Sequence, residues 1–253
     1  MPKRDAPDSQ ERDAFTMEQM KVLFRNAGAF RKKCPEKYWA TLATAFLGCR
    51  ITELAQINLD QDLILHEAGF WYIRIAITPE SEGHGKVKVT KQSVKNLASW
   101  RLLPIHPALE GHGFIAFLLV QRAKGRNRRP FESKWKPAIL EDKSSPDSVV
   151  GAHHHWGRPV IMWGSQEMGR LRKKGAVDDA EAKLGYFHSM RHTFSSLMVD
   201  AKIPFDVREA AIGHKYGGKD AERYAKLKEN PKALLEQAFI PGLVKLSELL
   251  DEA

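Results

Sequence analysis

From Phe15 onward the chain is patterned mostly with a helical period, interrupted by one block of strand period. Thr16 and Gln19 have the spacing of a capping box, and Phe15 is placed to staple onto Met20, so a first helix is expected to run to about Asn26. Tyr38, Leu42 and Phe46 recur every four residues and predict a second helix over 36–47, stopped by Gly48. Leu54, Ala55 and Ile57 belong to a third that starts near Thr52. Between residues 64 and 105 the period shortens. Residues 70–77 (FWYIRIAI), 87–90 and 100–105 are β-rich runs separated by Gly-, Glu- and Lys-rich turns, which predicts a small antiparallel sheet.

Helical character returns over 114–123. Residues 124–160 follow neither period; they carry GRNRR, the polar run EDKSSPDS and the triplet His153-His154-His155, and are expected to form a long loop or insertion. Short helices are expected near 163–174, 188–201, 206–213 and 219–228, the third capped by Asp206 and Glu209. The expected organisation is therefore a flexible lead-in over 1–14, one domain over 15–230, and a C-terminal tail over 231–253 with Leu243, Leu246, Leu249 and Leu250 near helical spacing. The fold class is α+β: mostly helical, with a small antiparallel β-sheet in the N-terminal half.

Composition narrows the partners. Of 253 residues, 43% are hydrophobic, enough for a core, while 40 Lys+Arg against 31 Asp+Glu leave a net charge of +9. That balance favours a polyanion, because each neutralised phosphate releases condensed counterions. Two cysteines, Cys34 and Cys49, imply no disulfide framework and suit a reducing compartment. The polar N-terminus has no signal-peptide core and no apolar run reaches membrane length, so a soluble, cytoplasmic protein is expected.

The candidate chemistry begins at Phe187-His188-Ser-Met-Arg191-His192-Thr-Phe194. On a helix His188 and Arg191 share a face, while Phe187, Met190, Phe194 and Leu197 can meet the core. An imidazole then sits beside a cation able to fork two hydrogen bonds onto a phosphate. Upstream lies Gly48-Cys49-Arg50-Ile-Thr-Glu53-Leu54, an arginine just beyond a helix stop with an acid three residues later. Downstream are Ile212-Gly213-His214 and, ten residues on, Tyr224 in Glu-Arg-Tyr-Ala. His-x-x-Arg alone is weak; the ordered series is specific.

This order resembles the catalytic domain of the tyrosine recombinase (phage integrase) family, whose boxes run Arg, Lys, His-x-x-Arg, His/Trp, Tyr. The resemblance spans residues 15 to about 227, with Arg50, His188, Arg191, His214 and Tyr224 at the matching positions. It nominates Lys95, in KNLASWRLLPIH, as the hairpin lysine; Lys86, Lys88 and Lys91 lie nearby and read as a solvated basic turn. It implies that Arg50 and Arg191 clamp the phosphate oxygens, His214 adds a hydrogen bond, and His188 accepts the Tyr224 proton while Lys95 protonates the departing 5′-oxygen. A 3′-phosphotyrosyl link would conserve the bond energy, so no cofactor and no metal is expected.

Other residues read differently. Tyr216 is too close to His214 for the family spacing, and Tyr38, Tyr72 and Tyr186 look structural. Glu53 is either a buried partner of Arg50 or a helix-surface acid; His192 is expected in a supporting role. Three adjacent histidines seldom reach one ion, so His153, His154 and His155 are expected in an exposed loop near DNA. The implied partners are double-stranded DNA, further copies of the chain (a tetramer on DNA) and accessory DNA-bending proteins, with no membrane; the implied setting is a bacterial cell or phage-infected host. The family usually carries a separate helical core-binding domain; only about 14 residues precede the first helix here, so the chain is expected to be either an excised fragment or a naturally shortened protein, and alone to bind DNA weakly and with reduced sequence specificity. Its tail either docks on a neighbouring protomer or packs on its own domain. The alternatives are a type IB topoisomerase-like enzyme and a non-catalytic DNA-binding regulator.

Overall fold

The capping box at Thr16 forms: its hydroxyl accepts the Gln19 N–H at 3.2 Å and the Gln19 side-chain oxygen accepts the Thr16 N–H at 3.0 Å. It starts α1 (Met17–Gly28), which buries Met20, Leu23, Phe24 and Ala27. The computed structural model describes residues 13–76, 100–140, 153–177, 183–214 and 221–250. α2 (Pro35–Leu47) has proline in its first turn, where no N–H is needed, and is buried along nearly its whole length. It is the central helix, packed between α1 and α7 (Tyr186–Asp200). Gly48 ends it in the left-handed region at φ +57°, and a Cβ there would stand 2.4 Å from the Phe194 ring. α3 (Ile51–Gln56) follows at once.

β1 (Leu63–Leu65), β2 (Trp71–Ile75) and β3 (Arg101–Pro104) form an antiparallel sheet in that order. Ile73 pairs with Leu63 on one side and Leu103 on the other, and Ile75 faces Arg101. β1 stands at the start of the expected strand-period block, ahead of the 70–77 run; the expected 87–90 segment falls outside the described residues. Ile73, Ile75, Leu103 and Ile105 are buried, and so, on the same face, is Arg101.

After α4 (Pro107–Gly111) and α5 (Phe114–Ala123) come β4 (Ala138–Leu140) and β5 (His153–His155), which pair antiparallel. The histidine triplet is thus a strand, not the loop expected, because its partner lies well upstream and local patterning carries no sign of it. α6 (Gly157–Lys173) begins six residues earlier than expected, where Gly157 presses onto α3: a Cβ there would sit 2.5 Å from Thr52 Cγ2.

α8 (Phe205–Ile212) ends at Gly213, φ +80°. Pro204 occupies its N-cap position, and neither acid caps it: Asp206 Oδ2 pairs with Arg223 Nε at 3.1 Å and Glu209 reaches forward to His214. α9 (Ala221–Lys228) is followed by α10 (Pro231–Leu234), a π-helical turn (Leu235–Phe239), α11 (Ile240–Gly242) and α12 (Val244–Leu250). Leu243, Leu246 and Leu250 are buried on their own chain, where α12 packs against α1 and α4.

Candidate active site

α7 carries the centre of the site. Phe187, Met190, Phe194 and Leu197 turn into the core as their spacing predicts, leaving His188 exposed and Arg191 only 5% exposed beside it. Arg191 Nη1 donates to the Gly48 carbonyl at 2.6 Å, an orphan acceptor of the α2 C-terminus. Among the described residues its buried Nη2 has no hydrogen-bond partner. Burial, with the Arg101 cation nearby, lowers the Arg191 pKa to about 9.

Arg50 precedes α3, and Glu53 three residues later gathers around it. Glu53 Oε2 accepts the Arg50 N–H at 3.0 Å and Oε1 accepts Arg50 Nη1 at 2.7 Å. Glu53 is 2% exposed, a buried partner and not a surface acid. Burial alone would raise its pKa, but Arg101, Arg191 and Arg50 outweigh that and hold it at about 2. Arg50, Thr52, Ser165, Tyr186, His188 and Arg191 line one cleft of about 380 Å³. The first-arginine turn, separated from α7 by about 140 residues in sequence, meets the His-x-x-Arg face here. His192 lies behind His188, their rings edge-to-face at 4.7 Å.

His214 follows the Gly213 turn, half exposed, with Nδ1 3.0 Å from Glu209 Oε2. Tyr224, on α9, is 6% exposed and is not among the residues lining the cleft. Its hydroxyl donates to the His214 carbonyl, and the Lys228 ammonium stands 4.5 Å from its ring centroid. Burial first, then the Glu209 carboxylate, push the phenol up to about 12 against the opposing pull of Arg101. Burial, and then Arg101, bring Lys228 down to about 8. Lys95, with Lys86, Lys88, Lys91 and Tyr216, lies outside the described residues.

The structure therefore gathers Arg50, His188 and Arg191 in one cleft, and separately couples Tyr224 to His214. Sequence reasoning missed Arg101 and Lys228. For Arg101 a signal existed: strand alternation sets it on the same face as Leu103 and Ile105, where a charge requires a partner. A larger hollow of about 570 Å³, lined by His106, His112, Ile240, Val244 and Glu248 among others, includes none of the ordered candidates. Chemically, the smaller cleft is lined by two arginines and an imidazole, a set suited to a tetrahedral oxyanion. Among the described residues no group of three His, Cys, Asp or Glu side chains could hold a metal ion, and no helix is long and apolar enough to cross a membrane.

No family model and no curated protein sequence matches the chain. A solved structure, the XerH site-specific recombinase bound to its difH substrate in a pre-cleavage complex, is similar with 14% identity and a TM-score of 0.44, over 84% of this chain and 49% of that one. The chain thus spans about half the length of that protein.

Proposed function

We propose that the chain is the catalytic domain of an integrase-type, site-specific DNA recombinase that cleaves and rejoins strands through a 3′-phosphotyrosyl intermediate on Tyr224. The observation that carries this reading is the cleft that Arg50, His188 and Arg191 line together, in the order the tyrosine recombinase boxes require, with Arg191 Nη2 buried and lacking a hydrogen-bond partner among the described residues. A scissile phosphodiester in that cleft would supply the missing acceptor. The two guanidiniums would then stabilise the charge that builds on the non-bridging oxygens as phosphorus becomes five-coordinate.

In this reaction the Tyr224 oxygen forms a bond to phosphorus and the bond to the 5′-oxygen breaks. The phenol proton passes to His188, and Lys95 supplies a proton to the leaving 5′-oxygen. His214 donates to the phosphate. A 5′-hydroxyl from another strand reverses the steps and rejoins the DNA. Because the Tyr224 hydroxyl is bound to the His214 carbonyl, attack requires that hydrogen bond to open and the phenol to turn toward the cleft. A net charge of +9 suits double-stranded DNA as substrate, and recombination of two duplexes would use a tetramer of this chain on DNA.

A nicked suicide substrate tests the reading. Wild-type protein should form a covalent adduct and Tyr224→Phe none; strand exchange between two duplexes then marks a recombinase. Relaxation of supercoils by a monomer without exchange would mark a type IB topoisomerase-like enzyme instead, and DNA binding without any adduct would mark a regulator.

A further inference from the structure

We infer that Arg101 is a positioning residue of the proposed cleavage reaction, the cation that ties Arg50 to the turn bearing His214. The inference rests on the recombinase reading and adds to it a residue outside the ordered boxes. Arg101 is fully buried on the inward face of β3, opposite Ile75. Its Nη2 donates to Glu53 Oε2 at 3.0 Å, and the same carboxylate holds the Arg50 side chain and N–H. Its Nε donates to the Ala211 carbonyl at 3.0 Å, in the last turn of α8. Immediately beyond, Gly213 leaves room for the guanidinium: a Cβ there would lie 2.5 Å from Arg101 Nη1.

One planar fork thus spans two segments 158 residues apart, running from Arg50 through Glu53 and Arg101 to the residues just before His214. An apolar side chain would fill such a strand position without the desolvation of a buried ion. What a guanidinium adds is direction, since two of its N–H bonds point at fixed angles to each other. A lysine keeps the charge and loses that fork.

The tie has a signature in pH. Glu53 is faced by Arg50 from the turn before α3, Arg101 from β3, Arg191 from α7 and the Cys49 thiol. With Arg101 in place the carboxylate stays ionised throughout the working range. Without it the largest opposing cation is gone, so burial raises the pKa and Glu53 takes up a proton at higher pH, releasing Arg50.

Single-turnover cleavage of the suicide substrate, with DNA affinity measured in parallel, is compared for wild type, Arg101→Met and Arg101→Lys from pH 5 to 8. Arg101→Met should cleave at least 100-fold more slowly at the acid end of that range, and its deficit relative to wild type should widen as pH falls. Arg101→Lys should lose about 10-fold in cleavage, with DNA affinity within threefold and the wild-type pH profile. If Arg101→Met does not fold, the lysine variant decides alone. Wild-type cleavage by Arg101→Lys, or a uniform slowing of a folded Arg101→Met at every pH, overturns the role. No adduct in wild type strikes the recombinase reading itself, whereas a wild-type adduct unaffected by either variant strikes only Arg101.

Discussion

Burying the Arg191 guanidinium removes it from water, yet only Nη1 is given an acceptor, and Arg101 and Arg50 repel it. Glu53 and the Gly48 carbonyl offset part of that expense. A group held this way contributes little net stability, since replacing a buried ion by an apolar side chain of similar size is often neutral or favourable. Arg191→Met should therefore lose less than about 1 kcal/mol, or gain stability, while its cleavage is abolished. The rise in melting temperature from chloride to sulfate at equal ionic strength should be roughly 1–2 °C larger in wild type than in the variant, the excess being ligand linkage over the general effect of sulfate. Thermal denaturation in the two salts checks both statements. A loss above about 3 kcal/mol in Arg191→Met would make the arginine a structural residue instead.

At the scale of elements, the junction of α2 and α3 aims the site. Gly48 adopts φ +57°, its carbonyl receives Arg191, and its hydrogen faces the Phe194 ring. Gly48→Ala adds a methyl group in a left-handed backbone and against a buried ring, so it should destabilise by roughly 2–4 kcal/mol, measurable by urea denaturation. Cleavage should fall further than the loss of folded protein explains, because the acceptor of Arg191 shifts. Much of this was legible in sequence because it is local: the Thr16–Gln19 capping box, the glycine stop at 48 and the split faces of α7 all lie within a few residues. What escaped depends on distant pairing. Glu53 meets Arg101 across 48 residues, Asp206 meets Arg223 on another helix, and β5 becomes a strand only against β4. The direction of the Tyr224 hydroxyl is equally unreadable, since helical spacing places α9 but not the carbonyl that its side chain finds.

For the whole molecule, the tail is packed into its own domain. Leu243, Leu246 and Leu250 are buried against their own domain, so using them on a neighbouring protomer would require exposing them first. Burial of each leucine is worth roughly 1.5–3 kcal/mol, so removing 241–253 should lower the melting temperature by about 10 °C or more. A truncated protein melting within about 2 °C of the full chain would instead leave the tail free for docking in trans. The remaining question is whether the net positive charge, the cleft of Arg50, His188 and Arg191, and the held tyrosine act together on DNA. The direct measurement is denaturing electrophoresis of the protein after incubation with an end-labelled, nicked suicide duplex, followed by mapping of the linked residue. A covalent adduct at Tyr224, absent in Tyr224→Phe and in Arg191→Met, is the predicted result. An adduct that persists in Tyr224→Phe, or none in wild type on DNA that it binds, would contradict the account.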